Sequence, residues 1–270
     1  MDDTDRPWLK TILAPNPSAM TLEGTKCFIV GRDRPVVIDP GPADEAHLAA
    51  IERALSGHAP SAILLTHAHA DHSAAAPALA RRTGARLMMG RGAIGSDWLE
   101  SFLSGWVTDG DEVQTDAGHI RVVSTPGHSP EHLAFFWRGE AATDSGSIFV
   151  GDLLMGSGDT TLVAPPEGNL ADYLASLSRV EEIGASVLFP SHGSAITEPG
   201  AVIGRYRAHR WARIAQVAEA LRTSPSAEPE RLVDAVYGPG LDPVLKGAAA
   251  GSISAIIRFL EERDSVDAKQ

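Results

Sequence analysis

The string Thr66-His67-Ala68-His69-Ala70-Asp71-His72 gathers three imidazoles and a carboxylate into a few residues directly after the apolar run 61–65 (SAILL). In an extended segment alternate side chains share a face, so His67 and His69 converge on one ion. Asp71 and His72 begin the next turn or helix and face a second ion nearby. Imidazole and carboxylate together suit zinc, and related divalent metals accept the same donors. Three further ligands stand where other apolar runs end. They are His128 in Ser124-Thr125-Pro126-Gly127-His128, Asp152 in Phe149-Val150-Gly151-Asp152, and His192 in Phe189-Pro190-Ser191-His192-Gly193. Gly or Pro flanks each of them, as in loops that let a side chain project from a rigid sheet edge. His132 follows four residues after His128. It reads either as a hydrogen-bonding support for a ligand or as a structural turn histidine.

These side chains need strands behind them. Residues 27–31, 36–38, 61–65, 119–123, 133–137, 147–150 and 186–189 are short, Val/Ile-rich or aromatic runs that read as strands. Residues 44–56, 73–82 and 172–183 carry apolar side chains at helical spacing. The alternation implies mixed α/β layers with polar residues gathered at strand ends. Residues 201–222, 230–237 and 248–263 read as three helices, broken at Pro225–Pro229. The first has a stripe of Trp211, Ile214, Val217, Ala218 and Leu221. The expected organisation is a catalytic domain over 1–200 and a small helical domain over 201–270. Trp98, Phe102 and Trp106, at i, i+4 and i+8, read as helix packing. Cys27, in an apolar run, reads as a buried packing residue.

Composition sets the outer bounds. The chain has 270 residues, 43% of them hydrophobic, a single cysteine and a net charge of −12. That is enough for a large core. One cysteine permits no internal disulfide, and the acidic start Met1–Asp5 is unlike a secretory signal. A cytoplasmic location with no membrane association is therefore expected. The charge is uneven. Residues 201–270 hold ten Lys/Arg against nine Asp/Glu, and residues 1–200 hold thirteen against twenty-six. Such acidity disfavours a strong electrostatic hold on nucleic acid. The best basic patch is Arg205, Arg207, Arg210 and Arg213 with His209. It reads first as a solvated helix face over the catalytic domain and second as an RNA contact.

The motifs THAHADH (66–72), TPGH (125–128), GD (151–152) and SHG (191–193), in that order, resemble those of metallo-β-lactamase superfamily hydrolases. Asn16-Pro17, Thr21–Thr25, Ile38–Pro42, Gly156–Gly158, Pro165–Gly168 and Tyr173–Leu177 extend the resemblance to the lactamase-beta-2-like branch. The departure is Lys26-Cys27, where relatives usually carry Asn-Thr. The resemblance implies an αββα sandwich with the metals at one edge, followed by a winged-helix-like domain. It also implies two zinc ions. His67, His69 and His128 would bind the first, Asp71, His72 and His192 the second, and Asp152 would bridge them. A hydroxide shared by the ions would be the nucleophile, with Asp71 orienting it and relaying a proton.

Asp152 stands where antibiotic-degrading members usually carry Cys or Ser, which weighs against a dedicated β-lactamase. Thioester or ester hydrolysis of a small-molecule substrate is the leading expectation. Cleavage of single-stranded RNA is second and β-lactam hydrolysis third. A nucleic-acid-binding regulator with a vestigial site is disfavoured by the intact ligand set. A homodimer is the expected assembly. Gly156–Thr161 reads as an ordinary polar connection or as a loop over the site. His47, His58, His119 and His209 read as surface or packing residues.

Overall fold

The computed structural model describes residues 7–139 and 145–267; the acidic stretch Met1–Asp5 lies outside the described residues. The first half contains β1 (Leu9–Leu13), β2 (Lys26–Val30), β3 (Val36–Ile38), α1 (Glu45–Leu55), β4 (Ala62–Leu64), α2 (Ala70–Ser73), α3 (Ala76–Thr83), β5 (Arg86–Met89), α4 (Asp97–Glu100) and β6 (Gly105–Trp106). The second contains β7 (Glu112–Thr115), β8 (Gly118–Ser124), β9 (Leu133–Trp137), β10 (Ser147–Gly151), α5 (Leu170–Ile183), β11 (Val187–Pro190), α6 (Pro199–Thr223), α7 (Pro229–Tyr237) and α8 (Lys246–Asp267). One sheet runs β1-β2-β3-β4-β5-β6, and the other runs β11-β10-β9-β8-β7.

Period-two alternation on fully apolar strands explains the four layers. On β2, Phe28 and Val30 enter the core between the sheets, while Cys27 and Ile29 face the helices outside. On β4, Ala62 and Leu64 point inward, and Ile63 meets Leu48 and Ile51 of α1 and Leu79 of α3. Phe28, Phe149 and Phe189 bridge the sheets with ring centroids 4.9 to 5.8 Å apart. Burying each such ring contributes roughly 1.5–3 kcal/mol. The outer face of the second sheet packs against α5, α6 and α8 in one continuous apolar cluster. The αββα expectation holds, and Cys27 is buried as expected.

The helix expected over 73–82 is α3, which begins at Ala76 after the separate short α2. Two local expectations change. Residues 98–106 are not one helix. Helix α4 ends at Glu100, Trp106 pairs in β6, and Trp98 and Phe102 are exposed. On α6 the buried face is Ile203, Tyr206, Arg210, Ile214 and Val217, leaving Trp211 exposed. Arg210 enters the buried face because its guanidinium lies 4.8 Å over the Tyr173 ring and donates to the Thr161 carbonyl. The part after β11 is helical, as expected. The segment Pro243–Arg263 is long and apolar enough in composition to cross a membrane. In this fold its Ile253, Ile256 and Phe259 are buried in the cluster shared with α5, α6 and α7.

Candidate metal centre

Strand ends from both sheets meet at one edge of the sandwich. Strand β4 delivers Thr66 to His72, β8 leads to His128, β10 to Asp152 and β11 to His192. Backbone hydrogen bonds join the sheets here, from Leu133 N to Thr66 O at 2.8 Å and from Lys26 N to Ser191 O at 2.8 Å. The Lys26 ammonium also donates to the Gly193 carbonyl, so the residue that departs from the family pattern anchors the His192 loop. Glycine is required where the chain turns into the site. Gly151 has φ +52°, and a Cβ there would lie 2.6 Å from His132 Nε2. A Cβ on Gly127, at φ +131°, would lie 2.3 Å from the Tyr173 backbone.

All seven expected ligands come together. Three sets offer donor atoms that lie within 4.8 Å of one another: His67, His69 and His128; His67, His72 and Asp152; Asp71, His72 and His192. The nitrogens of the first set are nearly in contact. His69 Nδ1 lies 2.9 Å from His67 Nε2 and 3.0 Å from His128 Nε2. Asp152 Oδ1 lies 3.4 Å from His72 Nε2 and 3.3 Å from His192 Nε2, and its Oδ2 lies 3.7 Å from His128 Nε2. Asp152 thus stands between the groups.

Each imidazole is held from behind through its other nitrogen, as metal-binding histidines are. His67 Nδ1 meets Thr66 Oγ1 at 3.0 Å, and His69 Nε2 meets Glu167 Oε2 at 2.6 Å. His72 Nδ1 meets Asp39 Oδ2 at 2.9 Å, His128 Nδ1 the Leu162 carbonyl at 2.8 Å, and His192 Nδ1 the Gly24 carbonyl at 3.3 Å. His132 is a support: its Nε2 accepts the Asp152 N–H at 3.2 Å, and its Nδ1 meets Thr125 Oγ1 at 2.9 Å. Burial, reinforced by the neighbouring His128, pushes His132 down to about 3, so the ring stays neutral.

Electrostatics divides the ligands. Burial holds His67 and His128 below the ordinary imidazole range, with lone pairs available. Burial acts the same way on His192, but hydrogen bonds to Asp152 and Asp71 outweigh it and lift the group to about 9. His72 is raised against its own burial by Asp152 and Asp39. Burial alone would raise the Asp71 and Asp152 carboxyls, yet the imidazoles hold both below the usual carboxylate range. Two ionised carboxylates, Asp71 half-buried and Asp152 more deeply placed, therefore call for nearby positive charge. His72 Nε2 and Asp152 Oδ1 are both buried without a well-formed hydrogen bond. Orphaned buried donors and acceptors are costly, and a divalent cation among these atoms would satisfy both. The donor set fits a metal.

Sequence reasoning missed three supports. Asp39, fully buried at φ +48°, accepts from Thr66 N at 2.8 Å, Thr66 Oγ1 at 2.6 Å and Ser191 Oγ at 3.3 Å besides holding His72. Its signal was a carboxylate directly after the apolar run Val36–Ile38. Glu131 Oε1 accepts from Ala68 N at 3.0 Å. Glu167 had no signal beyond its place in the Pro165–Gly168 string, because nothing local brings it to His69.

A cavity of about 440 Å³ opens onto the donors His69, Asp71, His128, Asp152 and His192. Its walls are Met20, Met155 and Leu162 from the sandwich loops, Leu241 and Leu245 from the connection between α7 and α8, and Ala249 from α8. Thr160 and Thr161 also line it, so the 156–161 connection does border the site. Helix α6 holds that connection. Tyr206 Oη accepts from Met155 N at 2.9 Å, Arg210 donates to Thr161 O, and Arg205 pairs with Asp159 at 3.0 Å. Arg207 pairs with Glu181 at 2.8 Å. The basic patch expected on this helix is thus engaged inside the molecule at three of its four arginines. His209, read as a surface or packing residue, lines the cavity together with Arg213.

A family model described as the metallo-beta-lactamase superfamily matches residues 20–192. The chain belongs to that superfamily, which is metal-dependent. It is 29% identical to the lactamase-like protein adaB of Aspergillus niger over 79% of this chain, and the match spans 63% of that relative's length. It is 32% identical to a beta-lactamase-like protein 2 homolog of Drosophila melanogaster, over 76% of this chain and 71% of the relative. It is also 28% identical to the atrochrysone carboxyl ACP thioesterase nsrC of Aspergillus novofumigatus, over 94% of this chain and 79% of the relative. A solved beta-lactamase domain protein from Burkholderia ambifaria superposes with a TM-score of 0.78 at 25% identity, covering 96% of this chain and 87% of that one.

Proposed function

We propose that the protein is a dinuclear zinc hydrolase of thioesters or esters. The observation that carries this reading is an apolar cavity ending on two adjoining sets of metal donors. His67, His69 and His128 would hold one ion, Asp71, His72 and His192 the other, and Asp152 would serve both. When bound, such ions supply water activated near neutral pH and polarise the scissile carbonyl. Asp152 offers one oxygen to each set. His132 keeps it in place through its backbone N–H, and Asp39 does the same for His72. Asp71, ionised and facing the cavity, has Oδ2 engaged with His72, His192 and Thr25. Its other oxygen would orient the attacking water and take its proton. Delivery of that proton to the departing thiolate completes the exchange of a C–S bond for a C–O bond. The walls from 201–270, read as a second domain, exclude water from the acyl group.

The thioesterase-named relative supports this reading, and so does the internal pairing of Arg205, Arg207 and Arg210, which leaves no arginine row for a phosphate backbone. The test is turnover of a hexanoyl thioester by the zinc-loaded protein with and without chelator, alongside single-stranded RNA. Chelator-sensitive thioester cleavage with intact RNA is expected. RNA cleavage without thioester turnover would overturn the reading.

A further inference from the structure

The cavity is not apolar throughout. Away from the metal donors it is lined by His209, Arg213, Tyr237 and Ser252. Arg213 differs from the other arginines of α6. Arg205 and Arg207 each face a carboxylate, and Arg210 is buried. Among the described residues every hydrogen-bond acceptor of Arg213 is neutral: His209 Nε2 at 3.4 Å, Gln216 Oε1 at 2.8 Å and the Val236 carbonyl at 2.6 Å. Its guanidinium lies 4.3 Å over the Tyr237 ring. A half-buried guanidinium in an apolar cavity, with no acid among the acceptors it reaches, is an anion seat in search of a partner.

His209 adds a second donor. Its Nε2 receives the Arg213 Nε–H, so the neutral ring carries its proton on Nδ1. That Nδ1 is buried and has no hydrogen-bond partner among the described residues. A buried N–H without an acceptor is costly, and a ligand anion would relieve it.

We propose that the substrate is a thioester or ester whose apolar arm ends in an anionic group, a carboxylate or a phosphate, seated by Arg213 and His209. This rests on the hydrolase reading above. Hydrolysis then occurs at the metal end while the charge at the far end sets the register of the acyl group in the cavity.

The experiment compares two matched pairs on the zinc-loaded full chain. One pair is the hexanoyl and adipoyl thioesters of N-acetylcysteamine, which places a carboxylate on the acyl side. The other is the hexanoyl thioesters of pantetheine and 4′-phosphopantetheine, which places a phosphate on the thiol side. In one pair the charged member should have a kcat/KM about tenfold higher or more, the worth of one charge-assisted hydrogen bond. Arg213→Gln, which keeps an amide donor for the Val236 carbonyl, should bring that ratio near one. Arg213→Lys, which keeps the charge, should restore it. The pair that responds identifies the source of the anion. Ratios near one in both pairs, or a preference that survives Arg213→Gln, would overturn the proposal. Should none of the four be hydrolysed, the thioesterase reading fails by itself. The seat is then tested by calorimetry with hexyl phosphate and hexanoate against hexanol. Anion preference lost in Arg213→Gln sustains it, and no preference, or one the variant keeps, sinks it.

Discussion

The edge of the sandwich that holds the metal donors and the helical wall facing it are built on opposite principles. At the edge every imidazole of the donor sets has a polar partner behind it, and the donor-set atoms left unpartnered, His72 Nε2 and Asp152 Oδ1, are the ones that face the other donors. Five imidazoles are backed by Thr66, Glu167, Asp39 and two carbonyls, and Asp152 is held by His132. Across the cavity, Leu241, Leu245 and Ala249 offer shape and little direction. The first arrangement suits a reaction that tolerates no misplacement of its donors. The second suits a choice among acyl groups, since an apolar surface discriminates by volume. On the proposed function, chemistry and selectivity are housed in separate parts of one molecule and can be altered separately.

The largest effect should come from the edge. Asp152→Ala removes the carboxylate shared by both donor sets, and turnover should fall about a thousandfold or more. Elemental analysis should show less metal per chain. Full metal content with full turnover would dissolve the distinction between edge and wall. Metal removal should come next. Saturation at 100 times Kd contributes about 2.7 kcal/mol, on the order of 5–10 °C in Tm for a chain of this size. Hydrogen exchange should show the loss concentrated at 66–72, 125–128, 151–153 and 191–193. Equal deprotection of α7 and α8 would mean that edge and wall unfold as one unit.

Tyr173 joins the two regions, since its hydroxyl donates to the Leu153 carbonyl at 2.9 Å beneath Arg210. Burial pushes its phenol up to about 12. The unfolded chain ionises first, near 10. The stability from the neutral buried phenol is therefore intact below pH 10 and is lost as pH rises from 10 through 12, by about 3 kcal/mol in all. Denaturant melts at pH 9 and 11.5 should show this decline, and Tyr173→Phe should lessen it. The smallest effect belongs to the wall. Leu245→Trp narrows the cavity and should raise KM for a hexanoyl thioester about tenfold, the scale of one or two methylenes in an apolar pocket. Metal content should hold. A collapse in metal content would show that the wall also shapes the donors.

Much of this could be read along the chain. The HxHxDH string after an apolar strand, and His128, Asp152 and His192 at later strand ends, are local patterns tied to local geometry. β2, β3, β4, β9 and β10 were legible because they are apolar on both faces, and β8 from its Val/Ile run. β1, β7 and β5 were not: Leu9–Leu13 and Glu112–Thr115 lie at sheet edges with mixed polarity, and Arg86–Met89 is short and opens on a charged residue. Trp98, Phe102 and Trp106 share a helical spacing that the chain does not use, because pairing of Trp106 with Met89 outweighs it.

Residue type and spacing alone therefore point to the candidate donors and to the strands that carry them, since each is encoded within a few neighbouring residues. Packing over long separations had to choose the rest. It brought Glu167 to His69 across 98 residues and Asp39 to His72 across 33. It turned Arg210 inward and left Arg213 facing the cavity from the same helix. Which arginine meets a carboxylate and which waits for a ligand depends on what the other elements place beside it, and no local pattern carries that information.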